Sequence, residues 1–190
     1  MKKILGVVLA LGLVVGLAGC SNQAQAPAAT ATSSEQTAAA EPIKMGRVDA
    51  AAHGTNAVTI AVVAVQGDKI VGVSLDEYQF MPADKAVGLA NTEGLAAKNY
   101  KDPSQVLASK IVNNEYYSNN MKEKAGSTVA YADNFKAIED FCEGKTIAEL
   151  EQILNSTPAE KMPVDTVTGS TLADTAGYVK AVVDAAKAAK

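Results

Sequence analysis

The stretch Val58-Thr59-Ile60-Ala61-Val62-Val63-Ala64-Val65 is a nearly unbroken run of apolar and β-branched residues. Branching at Cβ suits an extended, pleated backbone, so this run predicts a β-strand. Gln66-Gly67-Asp68-Lys69 supplies a turn, and Ile70-Val71-Gly72-Val73-Ser74-Leu75-Asp76-Glu77-Tyr78 follows. In that second run Val71, Val73 and Leu75 alternate with smaller or polar residues, the period of a half-buried strand. Together the two segments predict a β-hairpin, with a shorter strand before it over residues 44–48.

Helical patterns dominate the rest. Pro103 and Ser104 resemble a helix start ahead of residues 106–112. A second helix is expected over residues 115–124, ended by Gly126. A third spans 134–143, with Phe135, Ile138 and Phe141 and a stop at Gly144. Thr146 caps a fourth that carries Ile147, Leu150, Ile153 and Leu154 on one face. Pro158 and Pro163 bracket a loop. The last helix is expected over residues 172–187, turning Val179, Val182, Val183 and Ala186 inward. Strands first and helices later predict an α+β fold, an antiparallel sheet with several helices.

The N-terminus sets the compartment. Lys2 and Lys3 precede an apolar stretch over residues 4–17, too short to span a membrane comfortably, and then comes Leu17-Ala18-Gly19-Cys20. This pattern resembles the lipobox of bacterial lipoproteins. It implies a signal peptide over residues 1–19, cleavage before Cys20 and a diacylglycerol thioether on Cys20. Two acyl chains hold a protein stably at a membrane. The following residues, through about 42, are rich in Ala, Gln, Ser, Thr and Pro and read as a flexible tether, leaving a domain over residues 43–190. The expected location is the outer face of the cytoplasmic membrane.

Cleavage removes two lysines and no acid, so 17 basic residues become 15 against 21 acidic ones, and the net charge falls from −4 to −6. Such an acidic domain argues against nucleic acid as a partner. With Cys20 lipidated, Cys142 is the domain's sole cysteine. No intrachain disulfide or thiolate metal centre is then available, and Cys142, beside Phe141, is expected to act as a small buried hydrophobe. With one histidine and no second cysteine, no nucleophile–base pair stands out.

The segment Asp165-Thr166-Val167-Thr168-Gly169-Ser170-Thr171 resembles the Asp-x-x-(Ser/Thr)-Gly-Ala-(Thr/Ser) sequence of FMN-binding-domain proteins. There the last hydroxyl becomes a phosphoester of FMN. The resemblance implies attachment at Thr171, with Asp165, Thr168 and Gly169 belonging to the pattern recognised by a flavin transferase. Ser170 stands where the family usually has alanine. A turn at residues 168–170 would let Thr171 open the last helix, whose positive end favours a phosphate. The same residues also suit an ordinary helix cap, with Thr171 capping and Asp174 three residues on.

The resemblance covers most of residues 44–190. It is closest to the flavinylated lipoproteins of Gram-positive bacteria, which look similar at His53-Gly54-Thr55 and at Asp76-Glu77-Tyr78-Gln79-Phe80-Met81. The family's Thr-Pro-Gly-like stretch after the second strand is missing. The resemblance implies covalent FMN, a membrane quinol-linked electron donor and extracellular electron acceptors. Tyr78, Phe80 and Met81 are candidates to pack on the flavin ring, and His53 to hydrogen-bond the flavin or its phosphate. Tyr116 and Tyr117 read as a packing surface, and the pairs Asp76-Glu77 and Glu139-Asp140 as solvated faces. The alternative is an exported lipoprotein of the same fold that carries no flavin and binds a small ligand or a partner.

Overall fold

The computed structural model describes residues 40–89, 102–163 and 165–190. The expected signal peptide, Cys20 and most of the tether lie outside the described residues. Four strands, β1 (Ile43–Ala50), β2 (Val58–Gln66), β3 (Lys69–Pro82) and β4 (Gln105–Ser109), form one antiparallel sheet in sequence order. Four helices follow: α1 (Asn114–Ala125), α2 (Tyr131–Cys142), α3 (Ile147–Ser156) and α4 (Thr175–Lys187). The class is α+β, as the order of sequence patterns implies.

The core lies between one face of the sheet and the helices. Ala61, Val63 and Val65 of β2 and Ile70 and Leu75 of β3 meet Phe135 and Ile138 of α2, Leu150 of α3, and Val179, Val182 and Val183 of α4. Helix α4 lies so close to β1 that a Cβ on Gly46 would come within 1.9 Å of the Ala185 carbonyl oxygen, so glycine is required there. Gly126 ends α1 in the left-handed conformation, with its N–H on the Lys122 and Met121 carbonyls. The expected cap of α3 is a full capping box between Thr146 and Glu149. Cys142 is buried, and burial pushes its thiol up to about 12.

The hairpin forms where the sequence puts it, with one correction. A β-bulge lies at Ala64/Val65, where Ala64 pairs with Gly72 and Val65 with Ile70. The extra residue, Val71, turns outward and is 45% exposed, so Ile70 takes the inward place expected of Val71.

Two helical expectations change. Residues 105–109 are a strand, pairing with Tyr78–Pro82 because β3 runs on to Pro82. The cap-like signal before it is an Asx turn: Asp102 Oδ1 accepts from the Ser104 amide at 2.9 Å and the Ser104 hydroxyl at 2.7 Å. Those bonds hold the Asp102 carboxyl below its ordinary pKa. The last helix starts at Thr175 rather than residue 172, because residues 170–175 close on themselves. Ser170 Oγ lies 2.8 Å from Thr175 Oγ1, which donates to the Leu172 carbonyl at 2.6 Å.

Of the two acidic pairs read as solvated faces, only Asp140 is exposed, beside Lys136. Glu77 is fully buried. Asp76 accepts from the Glu77 amide and the Ser109 hydroxyl. Glu139 on α2 and Glu143 just after it reach the β3 amides of Leu75 and Val73, beyond the reach of the shorter β4. Burial raises the Glu139 carboxyl pKa, against the lowering effect of the Leu75 N–H.

Candidate functional site

The loop from Asp165 to Asp174 is pinned at two buried points. Val167 and Ser170 sink into the protein, while Asp165, Thr168, Gly169 and Thr171 stay exposed. Gly169 adopts φ +96°, a conformation that favours glycine, and packs against Ala137 of α2. Asn134, fully buried on α2, anchors the far side. Its Oδ1 accepts from the Thr171 amide at 2.6 Å and the Thr171 hydroxyl at 3.2 Å, while its Nδ2 donates to the Ala130 carbonyl at 2.9 Å.

Thr171 borders a cleft of about 310 Å³ shared with His53, Lys110, Tyr117, Met121 and Tyr178. Thr168 turns instead to a shallower depression beside Asp133, Lys136 and Asp140 on another side of α2. At the cleft rim His53 Nδ1 lies 2.6 Å from Asp174 Oδ2, tying the β1–β2 connection to the start of α4. A carboxylate only accepts, so Nδ1 carries the hydrogen.

Asp174, not Thr171, is the residue that precedes the first turn of α4. Its carboxylate already supplies the negative charge favoured at a helix N-terminus, so the expected helix-end site for a phosphate at Thr171 does not form. The alternative helix cap at Thr171 does not form either, since that hydroxyl is bonded to Asn134. The cationic side chains bordering the cleft are Lys110 and, when protonated, His53.

The floor is a buried polar cluster that sequence reasoning missed. Lys110 Nζ donates to Glu77 Oε1 at 3.1 Å, and the two side chains are 1% and 0% exposed. Glu77 Oε2 accepts from the Tyr178 hydroxyl at 2.6 Å and the Tyr131 hydroxyl at 3.0 Å. Burial is the main cause that raises both phenol pKa values, and the Glu77 charge raises them further, so both phenols remain donors. The ammonium sits 4.5 Å from the Tyr117 ring centroid and 5.3 Å from that of Tyr131, in cation–π range. Tyr117, Tyr131, Phe135 and Tyr178 stack in turn, with centroids 4.6–4.9 Å apart. Glu77 falls on the inward parity of β3, two residues after Leu75, and Lys110 closes the apolar run of β4. Opposite charges on the buried sides of two strands were the available signal.

Other expected ring contacts lie elsewhere. Glu77 reaches α2 and α4, so by the alternation of a strand Tyr78 and Phe80 face the other side of the sheet. Tyr78 neighbours Asp76 and Arg47 there, and its pKa is raised by burial first and then by Asp76. Phe80 is 53% exposed, while Met81 is buried on the helix side and does not border the cleft. Tyr117 belongs to the cleft, whereas Tyr116 borders a separate depression with Lys85 and Asn119. Comparison of the chain with protein families, curated proteins and solved structures finds no match.

Proposed function

We propose that this chain is a lipid-anchored extracellular flavoprotein that carries FMN as a phosphoester on Thr171. It passes electrons from a membrane quinol-linked donor to extracellular acceptors. The observation that carries this reading is the division of the 165–171 loop. Its pattern residues Asp165, Thr168, Gly169 and Thr171 are exposed for a modifying enzyme, while Thr171 also borders an aromatic-lined cleft.

The residues present fit such a group. Tyr117, Met121 and Leu172 offer apolar and aromatic surface to a planar ring. His53 offers a polar contact at the rim, and Lys110, buried beneath, offers charge rather than direct contact. In attachment, a flavin transferase presents FAD, the Thr171 oxygen forms a bond to the FMN phosphorus, AMP leaves, and the hydroxyl proton passes to the transferase. The Thr171 amide keeps its 2.6 Å bond to Asn134 after the hydroxyl is used, so the loop stays anchored. Ser170, where the family has alanine, donates to the Thr175 hydroxyl inside the protein and presents no obstacle at the surface. Bound flavin would supply the redox chemistry, and the protein the anchor, reach and orientation.

Export of the chain beside a flavin transferase, followed by a denaturing gel, tests the proposal. Flavin fluorescence should remain with the protein band and disappear in Thr171→Ala. A dark wild-type band beside a labelled control flavoprotein would contradict it. A second reading, a cleft that holds a small ligand without a covalent link, draws on the buried Lys110 below Thr171. Ligand retention in Thr171→Ala would favour it.

A further inference from the structure

Stability is a weak reason for the Lys110–Glu77 pair. Replacing a buried ion pair by apolar residues of similar volume is often neutral or stabilising, so the charges at this floor call for another reason. Both oxygens of the Glu77 carboxylate accept, one bond on Oε1 and two on Oε2. The ammonium of Lys110 has three N–H donors and, among the described residues, meets a single carboxylate oxygen, with aromatic rings beside it. Its position is fixed twice, because the Lys110 amide also donates to the Glu77 carbonyl at 2.8 Å. Lys110 borders the same cleft as Thr171.

We infer that Lys110 is the charge-selecting residue of this cleft, favouring a planar ring that gains negative charge, so that a flavin ring binds there more tightly reduced than oxidised. The identity of the ring rests on the proposed function. Two electrons and one proton convert the neutral oxidised ring to a reduced ring of one negative charge. In the test, dithionite supplies the electrons and water the proton. Of the pair only Lys110 borders the cleft, so a ring there meets the cation ahead of the carboxylate, and that charge, held in place and shielded from water, stabilises the anionic form over the neutral one. Glu77 and the two phenols act as positioning residues for that cation.

The test uses the Thr171→Ala chain, which accepts no covalent flavin, and lumiflavin, the bare ring. In mildly alkaline, anaerobic buffer this chain should bind dithionite-reduced lumiflavin about tenfold more tightly than the oxidised form. By linkage that ratio is about 30 mV on a two-electron couple. The preference should vanish when Lys110→Met and Glu77→Gln are added together, since they remove both charges and keep an acceptor for Tyr131 and Tyr178. Near-ultraviolet circular dichroism checks that this variant is folded. Where it is not, Lys110→Gln with Glu77→Gln replaces it, again removing both charges, with the same loss expected. Equal affinity for the two forms, binding of neither, or a preference that survives loss of the Lys110 charge overturns the inference. A flavinylated wild-type chain whose Thr171→Ala form shows no preference sinks this inference alone. A preference without flavinylation of the wild type sinks the covalent reading alone.

Discussion

Two base–carboxylate pairs border the same cleft, and their surroundings differ more than their geometry. At the floor, Lys110 and Glu77 are 3.1 Å apart and out of water, with two phenols on the same carboxylate. At the rim, His53 and Asp174 are closer, at 2.6 Å, yet their side chains remain 44% and 42% exposed. Distance alone would rank the rim pair as the stronger. Solvent reverses that order, because water screens the rim charges while the floor charges have only each other and their hydrogen bonds. The floor therefore fixes a charge in place, and the rim ties two loops together with little energy at stake.

The largest effect should come from breaking the floor on one side. Lys110→Met alone leaves Glu77 charged and buried, at a cost of about 3–5 kcal/mol by urea unfolding. A loss below about 1 kcal/mol would mean that water reaches the site. Next, Tyr178→Phe removes the 2.6 Å bond to Glu77 and should cost about 1.5–2 kcal/mol, as for other bonds to a charged acceptor.

Glu139 is an intermediate case that sharpens the comparison. Burial raises its folded pKa above the unfolded value, so its protonated form contributes stability that is complete below the ordinary carboxylate pKa. That contribution is lost as pH rises through the raised value. Glu139→Gln should therefore be more stable than wild type at neutral pH, by at most about 1 kcal/mol because the site is partly solvated, with the gain fading in acid. Thermal melts across that range check the sign. The smallest effect belongs to His53→Ala, expected to cost at most about 1 kcal/mol and less in high salt. A larger or salt-independent loss would erase the distinction between rim and floor.

How much of this was legible in the sequence differs by element. The β2–β3 hairpin was, because β-branched runs around Gly67 state a local preference that the tertiary structure keeps. So was the α3 cap, since Thr146 and Glu149 carry both halves of their own bond. Strand β4 was not, because an Asx turn at Asp102 and Ser104 uses the same residues as a helix cap, and the choice was made by the free edge of β3. The delayed start of α4 was hidden for a related reason. Ser170, Thr171 and Thr175 are bonded in a pattern that depends on Asn134, far away in sequence. Thr171 and His53, both named from the sequence, line the same cleft, while Glu77 was read as a solvated face and Lys110 was passed over because isolated charges look like surface. Tyr78 and Phe80 were misplaced for want of the face: the parity that buries Glu77 turns both of them away.

The central claim is that the hydroxyl at the cleft edge carries the flavin. Peptide mass mapping of the chain, exported beside an active flavin transferase, tests it most directly. The expected result is a gain of one FMN less water on the peptide containing Thr171, absent from Thr171→Ala. An unmodified Thr171 peptide beside a flavinylated control protein would contradict it.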